Sequence, residues 1–533
     1  MLGIFQKIVR LTRGARVLAK HGVLPPAEWL PLTPPPVRLL ARFVPRGRAA
    51  GTGRSGERLA RAFTELGPSY IKAGQFLATR PDVIGPAIAM DLSELQDRLP
   101  PFSLDQARAI LAAELGEEKR ARLGNLGDAV AAASIAQVHK VTLAPPSGTA
   151  PPRSLAIKIL RPDVEAEFAR DLSAFAWAAR QVERLGSEAR RLKPRAFVDT
   201  LARSVALEMD LRLEAAAADE LRANSAQDTD LRVPAVDWDF TSRRVLATEW
   251  IDGTPLRNRE ALQAQGHDLK RLATNLIQAF LRHALRDGFF HADMHPGNLF
   301  VDASGKIVVV DFGIMGRLDP QLRRFMAETL AGFLARDYHR VARIHLEIGF
   351  VPPHHAVEDF AQALRAIGEP IFGRPASNMS MARLLGQLCE VTRLFDMPMQ
   401  PQLVMLQKTM VVVEGVARQL DPDHSIWEAA RPVIERWMID SIGPEARLRD
   451  ASAGIASLGR AVAALPDALQ RVARIATELQ EGGIRLHPDS ARAIGEARPQ
   501  ALQWGTPVPW IVLLALVSAA FAIMAVSREF EWD

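Results

Sequence analysis

The chain has one cysteine among its 533 residues, Cys389, so it can form no intrachain disulfide, no cysteine-based zinc site and no thiol-ligated cluster. That usage fits a reducing, cytoplasm-facing location. The chain also lacks a charge excess of either sign: 66 lysines and arginines stand against 61 acids, and the net charge of +5 is too balanced to argue for a nucleic-acid partner. With 35 glycines and 36 prolines it is neither collagen-like nor of low complexity. No internal repeat is present, and no uninterrupted apolar run of a secretory signal stands near the N-terminus. What is left is a mostly globular chain, 48% apolar, with enough length for roughly three to four domains of about 150 residues each.

The charge is unevenly spread. Lys7, Arg10, Arg13, Arg16, Lys20, Arg38, Arg42, Arg46, Arg48, Arg54 and Arg58 are opposed only by Glu28 and Glu57. Among the first of these cations Ile4, Ile8, Leu11, Ala15 and Leu18 recur at helical spacing. The pattern suits an amphipathic helix lying on anionic lipid, and equally a solvated helix packed on its own domain. One long uncharged run exists. Residues 508–526 (VPWIVLLALVSAAFAIMAV) are 19 in number, about 28 Å as a helix against a hydrocarbon core of about 30 Å. Trp504, Trp510 and Trp532 flank it where interfacial aromatics are favoured. A single C-terminal transmembrane helix is expected, with the bulk of the chain on the cytoplasmic side.

Proline and glycine clusters at 31–36, 45–56 and 143–152 punctuate the chain. Between the last two, residues 57–80 and 86–99 have helical periodicity, and SLDQARAILAAELG reads as a helix capped at Ser103. AVAAASIAQVHKVTLA (129–144) and SLAIKILRP (154–162) then alternate as antiparallel strands, with Lys158 projecting from an apolar run. A long helical stretch over about 163–224 is followed by two strands within 233–251. From 256 onward the pattern is helical, broken by the strand pair NLFVD and KIVVVDFG. The expected fold class is α+β in two lobes. The expected division is a basic arm over 1–56, a helical extension over 57–122, a smaller lobe over 123–254, a larger lobe over 255–440, a helical tail over 441–506 and the anchor over 507–527.

The most informative segment is GFFHADMHPGNLFVDASGKIVVVDFG (288–313). Phosphoryl transfer needs one carboxylate to orient or deprotonate the acceptor and further oxygens to hold magnesium against the phosphates. Asp293 and Asn298 stand five apart, as the base and the metal-binding Asn of a kinase catalytic loop do, and Asp311 heads Asp-Phe-Gly after a strand. A rival reading takes His291, Asp293 and His295 as a transition-metal site, but it leaves Pro-Gly-Asn and Asp-Phe-Gly without a role. Lys158 is placed as the strand lysine that reaches the nucleotide phosphates and needs a carboxylate partner. In ALEMDLRLEAAAADELRAN, Asp210 and Glu214 share a helix face, while Glu208 points about 120° away from Glu214 at 100° per residue, so one helix is expected to hold two lysines.

At this point the chain resembles the UbiB family of atypical, kinase-like proteins of ubiquinone biosynthesis, from about residue 20 to the C-terminus. The marks are Lys72-Ala73-Gly74-Gln75, the stretch AAASIAQVH (131–139) where ordinary kinases carry a glycine-rich loop, Glu208-x-Asp210, HADMHPGN and DFG. The resemblance implies a two-lobed protein-kinase-like fold that binds ATP and Mg2+ and hydrolyses ATP or phosphorylates a small molecule. By position, Lys158 and Glu214 form the nucleotide ion pair and Asp293 is catalytic. Asn298 and Asp311 hold magnesium, and Ala131, Ala132, Ala133 and Ser134 line the phosphates. Residues around Glu249 meet the adenine. Lys72 pairs with Glu208 or Asp210 and, with Gln75, belongs to a helix that regulates access to the site. Expected partners are membrane lipid, enzymes of ubiquinone biosynthesis or prenylated precursors, and a second copy in a homodimer, with no nucleic acid. Gly51, Gly53 and Gly56 spell GxGxxG, but no strand precedes them, and no hydroxylase cofactor site is visible. An aminoglycoside- or choline-kinase-type phosphotransferase and a nucleotide-sensing pseudokinase that chaperones lipid precursors are the alternatives.

Overall fold

Strand alternation organises the smaller lobe. The protein is described from a computed structural model over residues 2–23, 53–78, 84, 86–93, 95, 99–143, 153–184, 194–372, 387, 391, 394–397 and 400–442. Strands β1 (Ala129–Ala132), β2 (Ala136–Leu143), β3 (Arg153–Leu160) and β5 (Val245–Glu249) form an antiparallel sheet in the order β1-β2-β3-β5. Leu155, Ile157 and Ile159 of β3 point to one face. There they pack with Val141, Val245 and Ala247, and with Ala107, Ile110 and Leu111 of a helix laid across the sheet. With a period of two, Lys158 must face the other side. There Leu160 joins Ile135, Ala136, Leu211 and Ala215 in a second cluster.

The helices run in chain order as α1 (Leu2–Lys20), α2 (Ser55–Leu66), α3 (Pro68–Ala78), α4 (Pro86–Ser93) and α5 (Leu104–Arg122), the last being the helix on the sheet. Ser103 caps α5 as expected, accepting from the Gln106 amide at 3.3 Å, and the helical backbone breaks at Gly116, where φ is 77°. The stretch 163–224 is not one helix. It divides into α6 (Val164–Arg184), α7 (Pro194–Glu208) and α8 (Leu211–Asn224). The first of the two strands expected within 233–251, VPAVDWDF (233–240), likewise does not form: β4 (Leu231–Arg232) ends before it, Val236 makes only an isolated bridge to Thr248, and Trp238–Phe240 make a 3-10 turn.

The larger lobe begins after β6 (Gly253–Pro255) with α9 (Arg259–Ala264) and α10 (Leu269–Arg282), which passes through a π turn (His283–Asp287) into β7 (Phe289–His291). Strands β8 (Leu299–Asp302) and β9 (Ile307–Val309) pair as the sequence indicates and close a four-stranded sheet, β4-β9-β8-β6. β10 (Met315–Arg317) pairs with β7, with Gly316 opposite Phe290. A Cβ at Gly316 would stand 2.2 Å from the Phe290 ring, so glycine is what lets the two strands close over it. Helices α11 (Pro320–Leu334), α12 (Tyr338–Glu347), α13 (Val357–Phe372) and α14 (Pro401–Leu420) complete the lobe. Residues 1–431 form one compact unit. The end of α15 (Ile426–Ile442), from Pro432 on, belongs to a second unit.

The amphipathic N-terminal helix exists and uses two faces. Leu11 packs on Ala174 and Ala178 of α6, with an Arg10–Asp171 ion pair beside it, while Ile4, Phe5 and Val9 are exposed. Among the described residues no helix is long and apolar enough to cross a membrane, and the expected span at 508–526 lies outside them.

The KxGQ glycine has a packing reason. A Cβ at Gly74 on α3 would sit 2.5 Å from the Phe63 ring of α2 and 2.9 Å from Leu95. Gly74→Val should therefore lower stability through overpacking, by about 1 to 3 kcal/mol. An unchanged urea midpoint would contradict the close approach of α2 and α3. Acid sensitivity is expected from His345, buried between the rings of Phe325 and Phe360 at 4.7 and 5.3 Å and bonded through Nδ1 to the Val341 carbonyl. Burial pushes its pKa from 6.5 down to about 4, so the neutral form is native and stability is fully present above pH 6.5. As pH falls from 6.5 toward 4 the unfolded chain takes up a proton that the fold excludes, a loss of about 3 kcal/mol in all. His345→Gln should flatten the acid limb of stability against pH by about one proton, read from urea midpoints between pH 7 and 4.5.

Candidate active site

Helix α8 places the first carboxylate. Its buried stripe is Leu211, Glu214, Ala215, Ala218 and Leu221, the spacing of one helix face, and it turns Glu214 inward on the side of the sheet that Lys158 faces. Lys158 Nζ lies 2.8 Å from Glu214 Oε1 and 2.8 Å from Asp311 Oδ1. One cation thus joins β3, α8 and the Asp-Phe-Gly turn. The far end of α8 is fixed to the larger lobe. Buried Asp228 meets Arg286 at 2.8 Å, His283 at 3.4 Å and Arg282 at 3.5 Å around the π turn. Burial alone would raise the Asp228 pKa; His283 and the two arginines hold it well below the usual carboxylate range.

The electrostatics of the triad follow from one cation serving two acids. Burial works to lower the Lys158 pKa, but the charges of Asp311 and Glu214 outweigh it, so the amine stays protonated. For Glu214 burial dominates and the neighbouring Asp311 charge adds to it, so its pKa stands above the ordinary range despite Lys158. The Asp311 side chain is 48% exposed and is held low by Lys158 against the burial of the rest of the cluster. The low-pKa partner is therefore the carboxylate that solvent can reach.

The catalytic-loop motif is folded around a neutral histidine. His291, on β7, accepts at Nδ1 from the Asp293 amide at 3.1 Å, so its proton is on Nε2 and is donated to the Asp311 carbonyl at 2.7 Å. Burial, the largest influence on it, lowers its pKa and favours this form. Both nitrogens are engaged and the ring is buried, so the rival metal reading of His291, Asp293 and His295 is not what the geometry supports. Asp311 takes the left-handed backbone (φ 65°), rare for a residue with a side chain, and the His291 bond holds its carbonyl there. Asn298 is buried and donates through Nδ2 to the Asp293 carbonyl at 3.1 Å, which leaves Oδ1 as the oxygen it can offer a cation. Thr409 of α14 donates to the Ala292 carbonyl at 3.0 Å.

The alanine run splits between β1 and a turn. Ala131 and Ala132 oppose Val138 and Gln137, and the Ala133 amide donates to the Ala136 carbonyl at 2.8 Å across Ser134 and Ile135. Three residues that sequence reasoning left aside make the polar contacts around this turn. Arg161 donates through Nε to the Ala133 carbonyl at 3.0 Å and through a terminal nitrogen to the Pro100 carbonyl at 2.8 Å. Gln137 accepts from the Phe102 amide at 2.9 Å and donates to His139 Nε2 at 2.9 Å, and His139 Nδ1 donates to the Gly127 carbonyl at 2.8 Å. The signal was present: in β2 the period of two puts Gln137 and His139 on the apolar face, where a buried polar side chain must have partners.

The expected geometry of the ExD acids needs correction. Glu208 is the last residue of α7, and Asp210 caps the start of α8, accepting from the Arg212 amide at 3.1 Å and pairing with its guanidinium at 2.7 Å. The chain breaks at Met209 and Asp210, so 100° per residue does not run from Glu208 to Glu214. Lys72 of α3 pairs with Glu208 at 2.6 Å, both largely buried, and Ala73 packs in the cluster with Ile135, Leu160 and Ala215. Two lysines are held, by two helices. Gln75 lies partly buried on α3. Glu249 ends β5; its backbone amide donates to the Ala235 carbonyl at 2.8 Å and its carboxylate pairs with Arg232.

Comparison with known proteins bears on the same segments. Residues 94–345 match the ABC1 atypical kinase-like domain and residues 364–425 the UbiB helical domain. A protein of Marinobacter nauticus named "Probable protein kinase UbiB" is 41% identical over 399 residues, 74% of this chain and 72% of that one. The chain belongs to the UbiB family. The fold is accordingly kinase-like, with mixed helix and sheet. A solved structure described as the Rv3197–erythromycin complex from Mycobacterium tuberculosis aligns with 68% of this chain and 90% of that one, at 24% identity and a TM-score of 0.46, a likeness too slight to carry an argument.

Removing the shared cation should make stability depend on pH. In Lys158→Met, Glu214 loses what pulls its pKa down, so the folded value moves further above the reference of 4.5. Folding then takes up a proton, and stability present below pH 4.5 is lost as pH rises through the folded value. The urea midpoint of Lys158→Met should fall further below wild type at pH 8 than at pH 5; an equal deficit at both would contradict the shared-cation geometry.

Proposed function

We propose that this member of the UbiB family is a membrane-anchored atypical kinase or ATPase that binds Mg-ATP and assists or regulates ubiquinone biosynthesis. The observation that carries the reading is Lys158 held by Glu214 while Asp311, tied to the catalytic loop through His291, offers it a half-exposed carboxylate. The donor set fits magnesium. Asn298 Oδ1 and the Asp311 carboxylate are hard oxygens beside a lysine, as phosphoryl transfer requires. Asp311 and Asn298 would hold the metal, which would supply charge neutralisation at the phosphates, and Lys158, paired with Asp311 in this structure, would turn to the α and β phosphates. Asp293, with a partly exposed carboxylate, accepts the proton of the attacking hydroxyl or water. Ala131, Ala132 and Ala133 hold the phosphate loop to a narrower range of φ and ψ than glycine would, so the nucleotide sits differently from that of an ordinary kinase. The backbone after Glu249 meets the adenine. Lys72 and Glu208, with Gln75 beside them, hold α3 against the smaller lobe and restrain entry of a protein substrate.

The ubiquinone role rests on the family and on the relative's name. Attachment to the inner membrane rests on the uncharged run at 508–526 and on the exposed Ile4, Phe5 and Val9 of α1 among Lys7, Arg13 and Arg16.

Magnesium-dependent ATP turnover in lipid vesicles tests the proposal. Asp311→Asn keeps a side chain that tolerates the left-handed backbone but neutralises less charge, so turnover should fall about a hundredfold or more. Turnover near the wild-type rate would remove the kinase reading of this site. A chain truncated after Gln503 should lose salt-resistant membrane attachment; full retention at high salt would place the anchor elsewhere.

A further inference from the structure

We propose that His354, His355 and Asp396 form a binding site for a borderline divalent transition-metal ion, zinc(II) foremost, separate from the nucleotide site. His354 and His355 lie in the turn between α12 and α13, and Asp396 lies 41 residues beyond His355, in a turn ahead of α14. One potential ligand atom from each of the three falls within 4.8 Å of the others.

The distances fit a metal site. Asp396 Oδ2 lies 3.3 Å from His355 Nε2 and 3.7 Å from His354 Nε2. A charge-assisted hydrogen bond would be about 2.7 to 2.9 Å, so the first separation is long for one and the second is too long. Ligand bonds of about 2.0 to 2.1 Å in a tetrahedron put neighbouring ligand atoms about 3.3 to 3.4 Å apart, the separation that the first contact has and the second approaches. Two imidazoles with one carboxylate match zinc, cobalt or nickel and not magnesium, which prefers all-oxygen surroundings.

The ligands are also held. The imidazoles of His354 and His355 lie 4.1 Å apart between centroids, and the His355 ring rests on Phe395 at 5.1 Å. Phe395 is buried and packs on Phe360 at 4.8 Å, which anchors its neighbour Asp396 to the core of the larger lobe. Asp396 itself has φ 51°, a left-handed backbone that a non-glycine residue adopts at some cost and that sets its carboxylate toward the histidine turn. Asp396 and His354 remain 68% and 65% exposed, so an ion can enter from solvent and keep a water in the fourth position. His354 and His355 fall between the two matched family segments, and Asp396 falls inside the second. A bound ion would tie the segment that follows the kinase-like domain to the helical domain.

The test uses the full chain in detergent without nucleotide. Zinc affinity is read by competition with a chromophoric chelator, and geometry by cobalt(II) absorption, which is intense for tetrahedral and weak for octahedral sites. Wild type should bind one tight equivalent with a tetrahedral cobalt spectrum. His355→Ala and Asp396→Asn should each weaken that equivalent at least tenfold and abolish the spectrum, while His339→Ala, an exposed control, leaves both unchanged. Metal-free thermal midpoints, expected to match wild type for the exposed-site variant Asp396→Asn, check that it is folded. Equal zinc binding by wild type and both variants, an octahedral cobalt spectrum, or zinc no tighter than magnesium would overturn the proposal.

Discussion

A single ammonium group held between two carboxylates governs the arrangement of the site. Lys158 is nearly buried, and a buried cation is tolerated only with partners in close range. The alternation of β3 fixes which way it points, the apolar stripe of α8 brings Glu214 to it, and the left-handed backbone at Asp311 turns a third side chain onto the same nitrogen. None of these would hold by itself. Withdrawing Glu214 leaves the ammonium without its buried partner, whereas Asp311 stands on the side that solvent reaches, so β3 and α8 are bound the more firmly to each other.

A second ion pair repeats the principle at the entrance to the kinase-like domain. Lys72 and Glu208 join α3 to the end of α7, and the two-residue break that follows Glu208 re-aims the chain so that α8 can serve Lys158 instead. Asp210 makes that break possible by satisfying the first turn of α8 through its side chain. An acidic pair two residues apart therefore does two jobs that one continuous helix could not do.

Much of this was legible in the sequence because the relevant patterns are local. The period of two around Lys158, the cap at Ser103, the strand pair that frames Asp302 and Lys306, and the five-residue spacing of Asp293 and Asn298 all depend on neighbours within a few residues. Local pattern placed Glu214 on one helix face with Asp210, and only the resemblance to the UbiB family singled it out as the partner of Lys158. The break at Met209 was not legible, because alanine-rich and leucine-rich flanks favour helix throughout and only the capping bond of Asp210 interrupts them. Nor were Arg161 and Thr409 legible. Their partners are backbone carbonyls 28 and 117 residues away, and a carbonyl leaves no mark in a sequence.

The contact of Thr409 has a consequence for how the helical domain and the chemistry communicate. Its hydroxyl stands 3.0 Å from the Ala292 carbonyl and 2.9 Å from the Met405 carbonyl in its own helix, and it has one proton to give. The two acceptors are therefore rivals. Any displacement of α14 would change how that one proton is shared between them. A helix outside the kinase-like domain thus touches the peptide beside Asp293 through a single shared proton.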